Sequence, residues 1–272
     1  MPSPARRLVP LFIALTLIAG LAPATAAADP TDLSTAAFRA AERRALILTN
    51  KRRTDRGLVT LRWDERLAEL ARDRATYMAE TGRFSHTQSG GTSVFDLIEA
   101  SSIRWYGAGE IIAWNTAASL DYSADFAVQG WMGSPSHKAI VISSGYNYVG
   151  FGVAVSPETG KRYWAGVYLK GPDRTAASVK IKTWSRTNVD RRYARVTLRW
   201  YGKDIRLQVL TSGLRYFQVQ RRRDSGAWYD YGRTTATYLK TRWLRGHRYE
   251  LRVRSRDRAG NWSRWVTKVY QT

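Results

Sequence analysis

The chain has 272 residues, of which 44% are hydrophobic and 24% charged, a composition that excludes intrinsic disorder and leaves room for two domains. It contains no cysteine, which excludes a disulfide-bonded scaffold, a thiol nucleophile and thiolate metal ligands. The formal net charge of +22 is unevenly distributed along the chain. Residues 29–177 have 18 Lys and Arg against 16 Asp and Glu, whereas residues 178–272 have 24 Lys and Arg against 6 Asp and Glu. This asymmetry predicts two domains with different partners.

Residues 1–28 have the layout of a secretory signal peptide. Arg6 and Arg7 precede an apolar run at 8–21, and small residues at 23–28 provide an A-x-A cleavage site. A membrane anchor is the alternative, but the apolar run is short for a span of ~20 residues. We therefore expect a secreted protein, and the absence of cysteine fits a bacterial exported protein better than a small animal one.

The next part of the chain has a helical pattern. Residues 36–53 place apolar side chains at helical spacing, which predicts a first helix. A second helix is expected from its N-cap at Asp64 to Gly82. The run Ser93-Val94-Phe95-Asp96 matches a capping box and predicts a third helix.

Two more helices and a hairpin follow. Residues 122–132 have a fourth helical pattern, and a fifth helix is expected to begin at Ser134. Two apolar runs at 148–155 and 162–169 are joined by the turn residues 157–160, which predicts a β-hairpin. Helices that precede a late hairpin predict an α+β fold for this domain.

The C-terminal part has a different pattern. Residues 172–178 are interpreted as a linker, and residues 179–272 as an all-β sandwich whose strands alternate apolar with charged side chains. The predicted strands are residues 195–200, 216–221, 249–254 and 265–270.

Three residues of the first domain are candidates for chemistry: His86, Glu110 and His137. Glu110 stands in an apolar run, where a carboxylate is costly to bury without a donor, an imidazole or a cation beside it. Two histidines and a glutamate can bind a divalent metal or perform acid–base catalysis. The alternative is a core carboxylate paired with an imidazole at a helix end. The wide spacing, without an H-E-x-x-H motif, leaves both interpretations open.

His137 lies near a predicted helix start. Ser134 as N-cap and Pro135 as first helical residue place His137 at the third position. The positive end of the helix dipole disfavours an imidazolium there, so the ring should be neutral near pH 7. Hydrolysis by Ser134 or Ser136 is disfavoured, because neighbouring helical residues do not face each other and no G-x-S-x-G motif is present.

An ordered set of short motifs resembles the CAP superfamily, the cysteine-rich secretory, antigen 5 and pathogenesis-related 1 proteins, in its disulfide-free bacterial branch. The similarity implies a domain at residues 36–171 with an α-β-α sandwich and a cleft formed at His86, Glu110 and His137, where some family members bind a divalent cation such as zinc. The motifs are Leu48-Thr49-Asn50-x-x-Arg53, Gly57-Leu58, Leu61-x-Trp63-Asp64-x-x-Leu67, Phe84-Ser85-His86, Gly109-Glu110, Trp131-Met132-x-Ser134-Pro135-x-His137-Lys138 and Val149-Gly150-x-Gly152.

The sequence departs from the family pattern at three positions. Ser134 stands where the family has a second acidic residue, so the complete set of two histidines and two acids is absent. Ile111 and Ile140 stand where the family has asparagines, which removes two amides. Asp96 is an alternative carboxylate, although its capping-box role explains it equally well.

Residues 246–263, with the run Asp257-x-Ala259-Gly260-Asn261-Trp262-Ser263, resemble a fibronectin type III or related Ig-like module, in which His247 is interpreted as structural. Basic side chains alternate there with Trp and Tyr, a pattern that favours binding of a polyanion. Cell-wall teichoic acid or an anionic lipid is the expected partner, extracellular DNA is an alternative, and specific nucleic-acid recognition is not expected. An Arg-rich surface that reflects genomic composition is the other interpretation. The residues assigned to polyanion binding are Arg221, Arg222, Arg223, Arg252, Arg254 and Arg256.

These observations favour an exported CAP-domain protein without strong enzymatic activity. Its cleft would bind a divalent cation or a small or lipid ligand, and its basic module would attach it to the cell envelope. The alternative is a secreted hydrolase of peptides or cell-wall material in which Glu110 and His137 are the acid–base groups.

Overall fold

The structure, a computed structural model, describes residues 33–272. The predicted signal peptide at residues 1–28 lies outside the described residues. Within residues 33–272, no helix is both long enough and apolar enough to cross a membrane.

Residues 33–177 form one four-stranded sheet, five α-helices and a one-turn 3-10 helix at Ser89–Gly91. The helices are α1 (Thr35–Thr54), α2 (Glu65–Thr81), α3 (Val94–Ala100), α4 (Leu120–Gly133) and α5 (Pro135–Val141), and the strands are β1 (Arg62–Trp63), β2 (Gly107–Asn115), β3 (Tyr148–Val155) and β4 (Arg162–Lys170). The strand order is β1-β3-β4-β2, in which β1 is parallel to β3 and the other pairs are antiparallel.

Apolar side chains cover both faces of this sheet. One core lies against α1, α4 and α5 and includes Trp131, Phe151 and Trp164. The other lies against α2 and α3 and includes Leu67 and Met78. Because both faces are covered, β3 and β4 are buried along most of their length. The predicted α-β-α sandwich is confirmed.

Polar caps set the starts of four helices, and Ser119 caps α4 by accepting from the backbone N–H of Tyr122. Ser34, Asp64 and Ser93 each accept a hydrogen bond from a backbone N–H of the following turn. Ser93 and Asp96 form the predicted capping box. Gly82 ends α2 in the left-handed conformation, with φ of 65°. The predicted helix bounds are confirmed to within two residues.

Two glycines bring β3 directly against α2. A Cβ atom at Gly150 would lie 2.1 Å from the backbone N of Ala68, and one at Gly152 would lie 2.2 Å from the backbone N of Arg72. Residues two apart on a strand share a face, so the Gly150-x-Gly152 motif removes side chains where the helix backbone makes its close approach.

Residues 178–271 form two antiparallel sheets. The strands are β5 (Ser178–Asn188), β6 (Tyr193–Lys203), β7 (Leu214–Arg223), β8 (Tyr229–Thr234), β9 (Tyr238–Leu244), β10 (Arg248–Asp257) and β11 (Val266–Gln271). One sheet has the order β5-β6-β9 and the other β11-β10-β7-β8. Phe217, Trp243 and Leu251 belong to the core that the two sheets share. The four predicted strands coincide with β6, β7, β10 and β11, whereas β5, β8 and β9 were not predicted.

The segment between β6 and β7, residues 204–213, packs against the N-terminal part. Leu207 is 2% exposed and belongs to the core that lies against α2 and α3. The backbone N–H of Val59 donates to the side-chain oxygen of Gln208 at 2.6 Å, and the amide of Asn147 donates to the carbonyl of Val209 at 3.2 Å. The N-terminal core therefore includes a residue from the C-terminal part.

Candidate functional site

The three candidate residues come from different elements. His86 lies in the loop after α2, Glu110 lies within β2, and His137 lies in the first turn of α5. The ring of His86 contacts the carboxylate of Glu110, and the ring centroids of the two histidines are 6.3 Å apart. The fold thus brings together residues that are widely separated in the sequence.

Glu110 has a partner on each carboxylate oxygen. Its side chain is 3% exposed. Arg74 Nε donates to Oε1 at 2.8 Å, and His86 Nδ1 lies 2.8 Å from Oε2. Arg74 is fully buried and also donates to the carbonyl of Ser85 at 2.6 Å. The prediction that Glu110 meets a donor, an imidazole or a cation is confirmed, because it meets both a guanidinium and an imidazole.

Arg74 is a site residue that we did not predict. It belongs to α2, on the same face as Leu67, Ala71 and Met78, which are all fully buried. These positions follow the i, i+4, i+7, i+11 spacing of one helix face. An arginine on an apolar helix face requires a buried acceptor, and that signal was available in the sequence.

His137 occupies the third position of α5, as predicted, since the helix begins at Pro135. Burial lowers the pKa of His137, and the neighbouring His86 lowers it further. The ring is therefore neutral near pH 7. Ser134 takes the N-cap position without making a side-chain capping bond, and its hydroxyl instead lies 3.2 Å from that of Ser136.

An apolar cleft of about 400 Å³ opens beside His86 and Glu110. Its volume lies within the range of small-molecule sites, ~300–1,000 Å³. Ile140, one of the two isoleucines at family asparagine positions, contributes to the wall. The other, Ile111, is fully buried in the core. The remaining wall residues are Thr87, Ser93, Val94, Phe95, Ala108, Gly109 and Tyr146.

The cleft residues fit a divalent cation poorly in this arrangement. Both oxygens of Glu110 are engaged, one of them by a guanidinium, and Ser134 offers a hydroxyl in place of a second carboxylate. Within residues 33–272, the acidic and histidine side chains whose ligand atoms all lie within 4.8 Å of one another are instead three aspartates: Asp173, Asp204 and Asp257. Cation binding at His86, Glu110 and His137 stays a prediction.

Two of the arginines assigned to polyanion binding, Arg252 and Arg254 on β10, lie against tryptophan rings from outside that strand. The Arg252 guanidinium lies 3.9 Å from the ring centroid of Trp228 and 4.5 Å from that of Trp265. The Arg254 guanidinium lies 4.0 Å from Trp262 and 4.5 Å from Trp265. Their Nε atoms donate to glutamine side chains of β7 at 2.8 and 3.0 Å. The two guanidinium groups therefore stack on the tryptophan rings.

Three of the other four assigned arginines also have a side-chain partner. Arg256 donates to a tyrosine hydroxyl at 3.1 Å, and Arg222 pairs with Glu250 at 2.9 Å. Arg221 donates to the hydroxyl of Tyr231 at 2.9 Å. Because it is the neighbour of Arg222 on β7, it lies on the opposite face of the sheet. Arg223 is exposed at the end of β7. Arg222 shares one face of this sheet with Arg252, Arg254 and Arg256, because it is the register partner of Glu250 on β10. Polyanion binding by the six arginines stays a prediction.

Two curated proteins are similar to part of the chain. The uncharacterized membrane protein YlbC of Bacillus subtilis is 37% identical over 112 residues, which cover 41% of this chain and 31% of YlbC. The uncharacterized protein YkwD of the same organism is 30% identical over 141 residues, which cover 51% of this chain and 52% of YkwD. The chain thus matches about a third of one relative and about half of the other.

Two solved structures also resemble the chain. An outer surface protein from Borrelia burgdorferi is 19% identical with a TM-score of 0.44, over 49% of this chain and 95% of that one. An extracellular protein containing an SCP domain from Bacillus anthracis is 21% identical with a TM-score of 0.44, over 51% and 44% of the respective chains.

The family comparison matches the part of the chain that carries the cleft. The model of the cysteine-rich secretory protein family, CAP, matches residues 46–168. This range extends from within α1 to within β4 and includes His86, Glu110 and His137. Residues 46–168 of this cysteine-free chain belong to the cysteine-rich secretory protein (CAP) family.

Proposed function

We propose that this chain is an exported CAP-domain protein whose cleft binds a small uncharged molecule with an apolar body. We further propose that its basic C-terminal part attaches it to anionic groups of the cell envelope, either of a polymer or of a lipid surface. The signal-peptide pattern at residues 1–28 supports export. The 24 basic residues against 6 acidic ones at positions 178–272 support attachment to a polyanion.

The contrast between the walls and the polar end of the cleft carries the ligand proposal. Val94, Phe95 and Ile140 provide apolar walls, whereas His86 and Glu110 provide polar atoms at one place. A site of this kind suits a ligand with an apolar body and one polar group, because the walls remove apolar surface from water and the polar atoms fix the orientation. A lipid or a similar amphiphile has this form.

The charge balance at the polar end favours an uncharged head group. The Arg74 guanidinium balances the Glu110 carboxylate, so this buried pair needs no counter-ion from a ligand. Because a carboxylate can only accept hydrogen bonds, His86 donates from Nδ1 and its Nε2 atom remains for another partner. A hydroxyl group of the ligand would be a hydrogen-bond partner for Nε2 of His86 without adding charge.

Binding of a fluorescent dodecanol derivative, followed by titration, tests the cleft. We expect Ile140→Asn to weaken binding about tenfold, because a new amide in an apolar wall has no partner when the ligand is bound. Ala139→Asn is the matched control, since it introduces the same amide at the exposed neighbouring position of α5. This control should bind as the wild type does.

Equal affinities of wild type and Ile140→Asn would contradict the ligand proposal. Cleavage of casein or peptidoglycan by wild type, detected by mass spectrometry and lost in Glu110→Gln, would instead establish the hydrolase. Zinc uptake that is lost in His137→Ala would establish the cation site.

A further inference from the structure

The outer face of the β5-β6-β9 sheet carries exposed cations and no acidic side chain. On β6, the buried residues Ala194, Val196 and Leu198 alternate with outward ones, which fixes the direction of the face. The three strands contain no Asp or Glu. We call six exposed basic residues of this sheet the basic sheet face: Lys180, Lys182, Arg195, Arg199, Lys240 and Arg242.

Two of these cations are placed directly opposite each other. Arg195 on β6 is the register partner of Arg242 on β9. Like charges at opposite positions of an antiparallel pair are destabilising. Within residues 33–272, no carboxylate lies within ion-pair distance of either arginine, and the ion pairs of the C-terminal part involve other basic residues. The neighbouring Asp190 accepts the backbone N–H groups of Arg192 and Tyr193, and the charge of Arg242 acts on it only beyond ion-pair distance.

Two exposed tyrosines separate the cations of this face. Lys182 Nζ lies 4.7 Å from the ring centroid of Tyr201. The Arg199 guanidinium and Lys240 Nζ lie 5.9 and 5.8 Å from that of Tyr238. These contacts leave the donor groups without an anionic partner, in contrast to Arg222 of the other sheet, which has Glu250. The uncompensated positive charge of the C-terminal part therefore includes this face.

We propose that the basic sheet face binds a linear polymer of phosphate groups, an inference that rests on the attachment half of the proposed function. From Arg195 to Tyr201, six residue-to-residue steps of strand extend roughly 20 Å, and three strands are roughly 10 Å across. An elongated array of this kind fits successive anions along a chain. Surfaces that enter a membrane combine cations with exposed Trp, Phe or Leu side chains, and the exposed aromatic residues here are tyrosines.

Anisotropy of fluorescein-labelled inorganic polyphosphate, titrated with the full chain over a salt series, tests the proposal. The variant Arg195→Gln/Arg199→Gln/Arg242→Gln should bind about tenfold more weakly. Its slope of log affinity against log salt should be shallower by about 2, since each phosphate contact on a flexible chain contributes ~0.7. Its melting temperature should change little, because loss of the like-charge pair offsets loss of the attraction between Arg242 and Asp190 and of the Arg199 contact with Tyr238.

The matched control is Arg206→Gln/Arg258→Gln/Arg264→Gln, which removes three exposed charges of the same part outside this face. It should keep the wild-type affinity within ~twofold. Equal weakening by both triple variants, or by neither, would overturn the assignment to this face. Tighter binding of oligothymidylate than of polyphosphate at equal charge would also overturn it, because bases would then contribute.

Phospholipid vesicles separate this proposal from the broader one. If the wild-type chain binds phosphatidylglycerol vesicles but not polyphosphate, the proposal that the ligand is a phosphate polymer would be overturned. The proposal of attachment to the envelope would stand. A wild-type chain that binds neither would overturn both. The dodecanol titration tests the cleft independently of either result.

Discussion

A buried ion pair positions the residues of the cleft. Arg74 and Glu110 are taken almost fully out of water, which is costly unless the pair is well aligned and its remaining atoms find partners. Arg74 also donates to the carbonyl of Ser85, and the second carboxylate oxygen of Glu110 contacts the ring of His86. The pair therefore holds the His86 ring at the cleft by way of the second carboxylate oxygen.

Replacement of Arg74 by methionine should destabilise the protein by about 3–5 kcal/mol, because Glu110 would remain as an uncompensated buried charge. Urea unfolding measures the change in the free energy of unfolding. The double variant Arg74→Met/Glu110→Leu removes both charges and should recover most of that loss. A single variant within ~1 kcal/mol of wild type would show that the pair does not determine the structure of the cleft.

The sequence predicts part of this arrangement for clear physical reasons. Glu110 stands in an apolar run, so its need for a partner follows from the cost of burying a carboxylate. The identity of that partner does not follow, since Arg74 precedes it by 36 residues and only the packing of α2 on the sheet brings them together. The position of His137 in the first turn of α5 was predictable because the Ser134-Pro135 start is local, whereas the burial and the nearby His86 that lower its pKa depend on the fold.

At the scale of secondary-structure elements, the contact between α2 and β3 depends on the absence of two side chains. Gly150 and Gly152 let the helix backbone lie against the strand, as the short distances to Ala68 and Arg72 show. This contact fixes where α2 places Arg74 relative to the sheet.

A Cβ atom at Gly152 cannot be accommodated without a shift of the α2 backbone, so Gly152→Ala should lower the free energy of unfolding by about 1–3 kcal/mol or more. Gly130→Ala in α4 is the control, since a Cβ atom added there would have no other atom within 4 Å. That substitution should stabilise the helix by about 0.5–1 kcal/mol. Thermal unfolding of both variants measures the difference, and equal effects would contradict this account of the α2 contact.

Local patterns predicted the helices and the β3-β4 hairpin, because caps, turn residues and periodicity act over a few residues. The strands that were not predicted depend on distant partners or irregular pairing. Strand β1 has two residues and pairs in parallel with β3, which follows it by more than eighty residues. Strand β5 has a register shift between Ile181 and Trp184, which interrupts its alternation.

For the whole molecule, the boundary between the two parts is a packed interface. Leu207 completes the apolar core of the CAP domain, and Gln208 and Val209 accept hydrogen bonds from Val59 and Asn147. We therefore expect the loop at residues 204–213 to stabilise α2 and α3, although it lies between strands of the C-terminal part.

Substitution of Leu207 by alanine should reduce the free energy of unfolding by about 2–5 kcal/mol, because it leaves a cavity in a shared core. Leu210→Ala, in the same loop but 41% exposed, should change it by less than about 0.5 kcal/mol. Hydrogen exchange of the α2 and α3 amides shows where the loss occurs. Unchanged protection of these helices in Leu207→Ala would mean that the loop does not support them.

The residues that match the family model are not the complete set of residues that form the core of that domain. The family match ends at residue 168, yet the core of that domain is completed by a side chain beyond it. A CAP domain transferred to another protein at its family boundary would lose Leu207, and Val59 and Asn147 would lose their acceptors. Recombination that separates the two parts therefore carries a stability cost, which favours their inheritance as a pair.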